Sequence, residues 1–256
     1  MTVSNQSDRN ACIFINNEWL PCNSGETLNV VEPATGQCFA KIAAGNAADI
    51  DVAVKAGRAA LKGAWGQMAA VDRGRLLVKV GTLILAHFDE LAALEARDTG
   101  KPLKQAQADI TAAARYFEYY GTAADKVHGD TIPFTEGFFV TTEYLPHGVT
   151  GHIIPWNYPA QMLGRTLAPA LAMGNATVLK PAEDACLSSL RIVELCRDAG
   201  FPPGAISLVP GTGEDAGVAL TAHRGLDFIS FTGSPEVGEL VQIAAAHNHI
   251  GCTLEL

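Results

Sequence analysis

An α/β fold built on an open parallel sheet is the architecture that the sequence predicts. Five short apolar runs alternate with four helical segments between residues 149 and 256, and this rhythm implies parallel strands joined by right-handed crossovers. Hydrophobic residues make up 48% of the 256 residues and charged residues 18%, which is typical of a folded globular protein.

The sheet is predicted to occupy residues 147–256. Its strands are expected at 149–154, 176–179, 206–209, 226–231 and 252–256. The helices between them are expected near 159–173, 187–199, 213–223 and 235–247. Ligands of such sheets bind in the crevice beyond the carboxyl ends of the strands, so we expect the functional residues there.

Residues 1–128 are expected to add strands and helices that pack on this sheet. Short strands and turns account for 12–42, and from Ala48 the apolar residues recur at helical spacing. The predicted helices run from 48 to 61, from 76 to 98 and from 103 to 124. Residues 129–146 are interpreted as a two-stranded ribbon with its second arm at 138–144. An isolated ribbon is marginally stable, so we expect it to lie on another subunit.

Composition excludes several classes of protein. The net charge of −9 argues against a nucleic-acid binder, which needs clustered Lys and Arg. The six cysteines have no zinc-knuckle or redox spacing, and no secretory signal opens the sequence. The apolar stretch 167–179 is too short and too broken to span a bilayer. We therefore expect a cytoplasmic protein without a metal site, bound to neither membrane nor nucleic acid.

The loop after the first predicted strand contains Pro155-Trp156-Asn157-Tyr158-Pro159. A neutral amide such as that of Asn157 can stabilise an oxyanion without titrating. The alternative is that Asn157 caps the next helix, and the residue types alone favour capping.

Lys180 and Glu183 follow the second strand. An acidic group at this place usually binds ribose hydroxyls in a dinucleotide fold, and Lys180 is placed to do the same. A solvated surface pair is the alternative.

Two glycine-containing loops follow the third and fourth strands, and either could present helix N–H groups to a phosphate. In the first, Gly211-Thr212-Gly213 is followed by Gly217, one residue later than a dinucleotide fingerprint requires. The second places Ser234 at the N-cap, Pro235 at the first helical position and Gly238 in the first turn. We assign the pyrophosphate to the second loop and place the first nearer the adenosine.

Glu255 stands inside an apolar run. Burial there would raise its pKa toward the range of a general base. The alternative is an edge position that faces water.

Together these segments resemble the aldehyde dehydrogenase superfamily along the whole chain. The resemblance implies a Rossmann-like open parallel sheet with flanking helices, an N-terminal helical layer and a protruding β-ribbon. The motifs that carry it are Ile153-Ile154-Pro155-Trp156-Asn157-Tyr158-Pro159, Leu179-Lys180-Pro181-Ala182-Glu183, Phe231-Thr232-Gly233-Ser234 and Leu254-Glu255-Leu256.

The resemblance implies a role for individual residues. The amide of Asn157 would stabilise the oxyanion, Lys180 and Glu183 would bind the adenosine ribose, Ser234 the pyrophosphate, and Glu255 would activate water. Because Glu183 would repel a ribose phosphate, NAD is favoured over NADP. The predicted cofactor-binding set is completed by Ile153, Ile154, Pro155, Trp156, Gly213, Phe231, Thr232, Gly233 and Gly238.

The implied chemistry is covalent. A cysteine thiolate attacks the aldehyde, hydride passes to the nicotinamide, and water releases a carboxylic acid. The presence of Glu255 favours this hydrolytic branch over relatives that acylate coenzyme A. Relatives form dimers and tetramers, so a homodimer or homotetramer of the full-length enzyme is expected.

In this family a catalytic domain with the nucleophilic cysteine follows the Leu-Glu-Leu segment, whereas this sequence ends at Leu256. Cys252 is nearest to Glu255, yet its odd spacing on a strand predicts that the two side chains point to opposite faces. We therefore expect the chain alone to be inactive, as a fragment of an ordinary enzyme. The alternatives are a catalytically dead module that retains NAD binding or subunit association, and an enzyme completed by a second polypeptide.

Overall fold

The computed structural model describes residues 9–256. Its strands are β1 (Ile13–Ile15), β2 (Glu18–Leu20), β3 (Thr27–Glu32), β4 (Gln37–Ala43), β5 (Thr131–Ile132), β6 (Val140–Thr141), β7 (Val149–Ile154), β8 (Ala176–Pro181), β9 (Ile206–Leu208), β10 (Phe228–Thr232) and β11 (Gly251–Glu255). Its helices are α1 (Ala47–Lys62), α2 (Ala70–Ala86), α3 (Phe88–Thr99), α4 (Leu103–Ala123), α5 (Pro159–Ala172), α6 (Leu187–Ala199), α7 (Val218–Thr221) and α8 (Pro235–His247), with a π-helix at Gly213–Gly217.

The predicted α/β fold with a parallel sheet is confirmed. The five strands β7 to β11 are all parallel, in the order β11-β10-β7-β8-β9. The chain moves outward from β7 to β9 and then returns to add β10 on the other side of β7. The order therefore reverses between β7 and β10, and the loops that follow these two strands separate in opposite directions, which opens a crevice at their carboxyl ends.

Two of the early strands extend this sheet, which the sequence pattern did not predict. β1 pairs antiparallel with β9, with Phe14 opposite Leu208, and β2 forms the outer edge beside β1. All three side chains of β1 are buried, whereas Glu18 on β2 is exposed. β1 therefore covers the edge that β9 would otherwise expose.

Helices cover both faces of the sheet. Right-handed crossovers place α5 and α6 on one face and α7 and α8 on the other, where α1 also packs. Helices α2, α3 and α4 form a second layer over α5 and α6. Glycine permits the close approach of α4 and α5, because a Cβ on Gly164 would lie 3.0 Å from the carbonyl oxygen of Ala113.

Two predicted helices differ from the structure. The helix predicted over 76–98 is interrupted at His87, whose non-helical backbone (φ −109°, ψ 26°) ends α2 and precedes α3. The helix predicted over 213–223 is a π-helix followed by the four-residue α7. The parallel strands differ from their predicted bounds by at most two residues.

The ribbon between 129 and 146 is present, but its two strands have only two residues each. Its aromatic side chains project into solvent, with Phe134 67%, Phe138 69% and Phe139 83% exposed. The predicted longer second arm, 138–144, is wrong, because the strand there comprises only Val140–Thr141. Among residues 9–256, no helix has the length and apolar composition to cross a membrane.

Candidate active site

The predicted site residues meet at one edge of the sheet. Ile153 on β7 lies opposite Lys180 on β8 and Phe231 on β10, and Phe231 lies opposite Leu254 on β11. One residue further along, Thr232 lies opposite Glu255. Because these strands are parallel and in this register, their carboxyl ends stop at the same level. The loops that carry the motifs therefore leave the sheet side by side.

The loop after β7 leaves the amide of Asn157 available. The N-cap position of α5 is Tyr158, with Pro159 beginning the helix, and no side chain caps it. The capping interpretation of Asn157 is therefore wrong. Asn157 and Trp156 are both exposed, whereas Ile154 is buried in the core. The side chain of Ile154 thus packs in the core, and only its backbone lies next to the loop.

The carbonyl oxygen of Asn157 accepts a hydrogen bond of 2.7 Å from Lys101 Nζ. Lys101 lies between α3 and α4, and its ammonium group also stands 4.6 Å from the centre of the Tyr158 ring. A side chain of the N-terminal helical layer therefore contacts the loop at the end of β7.

Lys180 and Glu183 form an ion pair at the end of β8, in which Lys180 is buried and Glu183 is partly buried. Lys180 is 3% exposed, and its Nζ donates to Glu183 Oε2 at 2.7 Å. The other carboxylate oxygen of Glu183 accepts from the backbone N–H of Gly213 at 3.2 Å. The alternative of a solvated surface pair is therefore wrong. The pair also joins the loops that follow β8 and β9.

The electrostatics of Glu183 follow from this geometry. Partial burial raises the pKa of its carboxyl group, but the hydrogen bond and the positive charge of Lys180 outweigh burial and hold the pKa below its usual value. Glu183 is therefore ionised at neutral pH and its orientation is fixed by two donors.

The loop after β9 is a poor phosphate site. Thr212 caps the π-helix by accepting from the N–H of Asp215 at 3.1 Å, and Glu183 occupies the N–H of Gly213. Glu214 and Asp215 add two negative charges to the first turn. An anion would meet occupied donors and like charges here.

The loop after β10 has the predicted helix start. Ser234 is the N-cap of α8 and accepts from the N–H of Val237 at 3.4 Å, and Pro235 opens the helix. This prediction is confirmed. The N–H of Gly233 donates to the carbonyl of Glu255 at 3.0 Å, which ties this loop to the end of β11. Gly238 is buried, and a Cβ there would lie 2.3 Å from Leu256 Cδ2.

Of the two interpretations of Glu255, burial with a raised pKa is wrong. Within the described residues β11 is an outer strand of the sheet, and the Glu255 side chain is 53% exposed. It forms an ion pair with Arg165 of α5. The hydrogen bond and charge of Arg165 lower the pKa of this carboxyl group. The alternative of an edge position facing water is the correct one.

A groove between α5 and strands β10 and β11 is lined by Arg165, Glu255 and His152. The ring of His152 is held by Thr166 Oγ1 at 2.6 Å on Nδ1 and by Thr150 Oγ1 at 2.8 Å on Nε2. Complete burial lowers the pKa of His152 to about 3. The imidazole is neutral at physiological pH, and both ring nitrogens are engaged, so His152 acts in packing and not as an acid or base.

No cysteine of residues 9–256 is placed as a nucleophile at this edge. Cys252 alternates in burial with Glu255 along β11, which confirms that the two side chains point to opposite faces. Burial raises the pKa of the Cys186 and Cys196 thiols. Within the same described range, no group of His, Cys, Asp or Glu side chains is arranged to hold a metal ion.

Comparison with known proteins shows the family of the chain. The profile described as "Aldehyde dehydrogenase family" matches residues 19–256. The mitochondrial aldehyde dehydrogenase of Equus caballus is 46% identical over 248 residues, which cover 95% of this chain and 50% of that protein. The chain belongs to the aldehyde dehydrogenase family.

Solved aldehyde dehydrogenase structures share the fold. A Burkholderia cenocepacia protein assigned to these enzymes is 56% identical, with a TM-score of 0.95 over 96% of this chain and 52% of that one. The NAD+ complex of the Bacillus cereus aldehyde dehydrogenase is 39% identical, with a TM-score of 0.95 over 98% of this chain and 51% of that one. The chain thus spans about half the length of the relatives that it matches.

Sequence reasoning missed the contribution of the N-terminal helical layer to this candidate site. The predicted helices over 76–98 and 103–124 left Lys101 in the connection between them, and the sequence assigned it no role. A lysine enclosed by a helix-ending glycine and a proline was the available signal, but its contact with Asn157, 56 residues later, is decided by tertiary packing.

Proposed function

We propose that this chain forms the cofactor-binding part of an enzyme that oxidises an aldehyde to a carboxylic acid through a cysteine thiohemiacetal and thioester. The cysteine nucleophile is one that these 256 residues do not supply. The observation that carries the proposal is the common level of the strand ends, which brings the Asn157 loop, the Lys180–Glu183 pair, the Ser234 helix start and Glu255 to one edge.

NAD is the cofactor that we propose, and the residues present fit it. Lys180 and Glu183 offer a fixed donor and acceptor for ribose hydroxyls, and the N-terminus of α8 at Ser234 offers a site for the pyrophosphate. When bound, NAD supplies the hydride acceptor. An ionised Glu183 would repel the additional phosphate of NADP, so NAD is favoured.

Asn157 and Glu255 are proposed as the catalytic residues of this chain. The free amide of Asn157 would donate a hydrogen bond to the oxyanion that forms when a thiolate attacks the aldehyde. Glu255 would take a proton from the water that attacks the thioester. Because Glu255 is paired with Arg165 and its pKa is lowered, it becomes an effective base once that pair opens.

We further propose three functional parts: residues 1–128 pack on the cofactor domain, residues 129–146 mediate oligomerisation, and residues 147–256 form the Rossmann-like domain. The exposed aromatic side chains of the ribbon support an interface in a homodimer or homotetramer, because a ribbon with no core of its own gains stability by covering them. A cytoplasmic location is proposed with these parts.

Two variants of the full-length enzyme test the catalytic assignment. Asn157→Ala should lower kcat for aldehyde oxidation about 100-fold, the cost of one oxyanion donor. Glu255→Gln should give one burst of NADH per site and then almost no turnover, since the thioester is not hydrolysed. Both effects are measured by NADH absorbance in burst and steady-state kinetics.

Matched controls are available on other parts of the chain. Asn29→Ala changes an exposed amide on β3, and Glu18→Gln changes an exposed carboxylate on β2 at the opposite edge of the same sheet. Both should retain normal turnover. If full-length protein binds NAD in calorimetry but oxidises no aldehyde, the chain is a non-catalytic module and the proposal is wrong.

A further inference from the structure

A buried polar cluster lies where the N-terminal helices meet the loop after β7. It consists of Glu95, Lys101 and Asp109, with side-chain exposures of 0%, 11% and 2%. Lys101 Nζ lies 2.6 Å from Asp109 Oδ2 and 3.3 Å from Glu95 Oε1. Its third acceptor is the carbonyl oxygen of Asn157 at 2.7 Å. The three hydrogens of the ammonium group thus have three acceptors.

The position of Lys101 is itself fixed from several directions. Gly100 ends α3 in the left-handed conformation (φ 75°), and a Cβ there would lie 2.9 Å from Pro33. This turn directs the chain so that Lys101 enters the cluster. Glu95 also accepts a hydrogen bond from Ser188 in α6. The ammonium group is therefore anchored to the helical layer before it reaches the sheet edge.

The loop that Lys101 contacts depends on such an anchor. Pro155 and Pro159 carry no N–H, and no side chain caps α5 at Tyr158. The carbonyl of Asn157 belongs to the same residue as the free amide, so its hydrogen bond restrains the backbone to which that amide is attached. A displacement of about 1 Å in a group that contacts the reacting atoms can cost about 100-fold in rate.

We propose that Lys101 is a positioning residue that holds the backbone of Asn157 so that its amide meets the oxyanion. The inference rests on the proposed function of Asn157. Lys101 acts through Asn157 and contacts neither substrate nor cofactor. The carboxylates of Glu95 and Asp109 act one step earlier, because they accept hydrogen bonds from the ammonium group and so fix its position.

A double-mutant cycle in the full-length enzyme tests this inference. Lys101→Met should lower kcat about 10- to 100-fold, while the Kd for NAD measured by calorimetry changes less than about twofold. In the Asn157→Ala background the same substitution should change kcat less than about twofold, because the group that it positions is gone. Independent effects that multiply would overturn the proposal, as would a loss of NAD affinity equal to the loss of kcat.

Hydrogen exchange provides a readout that does not depend on activity. Lys101→Met should speed exchange in the peptide covering 156–160, relative to wild type. The matched control is Lys79→Met, which removes a hydrogen bond of 3.0 Å from another lysine to the carbonyl of Ala199 and should leave kcat and this peptide unchanged. Unchanged exchange at 156–160 in the Lys101 variant contradicts the proposal.

Lys101→Arg covers the case in which the Met variant does not fold. Arginine keeps the positive charge beside Glu95 and Asp109, but its planar fork does not reproduce the three directions of the ammonium donors. We expect a folded enzyme with lowered kcat whose deficit vanishes in the Asn157→Ala background; normal kcat would overturn the proposal. If Asn157→Ala alone leaves kcat unchanged, the proposed function of Asn157 fails as well. If Asn157→Ala lowers kcat strongly but the effect of the Lys101 substitution is independent of it, only the positioning role of Lys101 fails.

Discussion

Two ion pairs stand at the ends of parallel strands in one sheet, and they differ in burial. Lys180–Glu183 lies at the end of β8, with side-chain exposures of 4% and 34%. Arg165–Glu255 lies beside β11, with exposures of 41% and 53%. β8 is a central strand and every residue in it is buried, whereas β11 is an outer strand with alternating exposure. The strand's place in the sheet decides how strongly each pair is held.

The comparison separates a fixed carboxylate from a movable one. Glu183 has a buried partner in Lys180 and a second donor in Gly213, which suits a residue that recognises a ligand with constant geometry. Glu255 has one partner that water can replace, which suits a residue that must release its partner to accept a proton. A surface pair contributes little stability, whereas breaking a buried pair is costly.

The largest expected effect comes from removing the buried cation. Lys180→Met leaves Glu183 partly desolvated without its charge partner, so the pKa of Glu183 should rise. We expect the free energy of unfolding to fall by roughly 2 kcal/mol, less than the ~3–5 kcal/mol of a fully buried pair because Glu183 is partly exposed. Urea unfolding measures this change. An unaltered stability would mean that the two pairs are equivalent.

A second substitution tests cofactor choice at the buried pair. Glu183→Gln removes the negative charge that opposes the ribose phosphate, so the ratio of kcat/KM for NADP to that for NAD should rise about tenfold, or ~1.4 kcal/mol. Glu239→Gln on the exposed surface of α8 is the control. An unchanged ratio would show that Glu183 does not face the ribose.

The same variant has a defined pH signature. Lys180 lowers the folded-state pKa of Glu183, so the stability from ionised Glu183 is present above its ordinary unfolded pKa and is lost as pH falls through the lowered folded value. The difference in Tm between wild type and Glu183→Gln should therefore close in acid and stay constant at neutral pH.

The smallest effect is expected at the exposed pair. Arg165→Gln should leave Tm unchanged but let the pKa of Glu255 rise toward its ordinary value, which moves the acid limb of the thioester-hydrolysis rate to higher pH. The shift should shrink at about 1 M salt, where the screening length is about 3 Å. A shift to lower pH, or one insensitive to salt, would contradict the comparison.

Local sequence signals predicted much of the site and its scaffold. Ser234 followed by Pro235 favours the start of a helix, because serine caps the first N–H groups and proline suits the first helical position. The structure has both residues at these positions. The apolar runs of β7 to β11 likewise follow from short-range patterning, with errors of at most two residues. These features depend on residues that are neighbours along the chain, so they can be predicted from the sequence.

Features that depend on distant partners were not predictable in this way. The apolar residues beside Glu255 left burial and exposure both open, and the alternating exposure of β11 decided for exposure. β1 was expected as a short strand, yet its pairing with β9 joins segments about 190 residues apart. The residue types alone favoured Asn157 as a helix cap, yet Tyr158 occupies the N-cap position.

The sequence by itself determined the alternation of strands and helices, the helix start at Ser234 and the family resemblance. Each depends on short motifs, whose residues are close together in the chain. Only the tertiary structure decided that Lys180 is buried, that Glu255 is exposed beside Arg165, and that Lys101 reaches the carbonyl of Asn157. Burial and electrostatic partners are properties of packed surfaces, and residues far apart in sequence supply those surfaces.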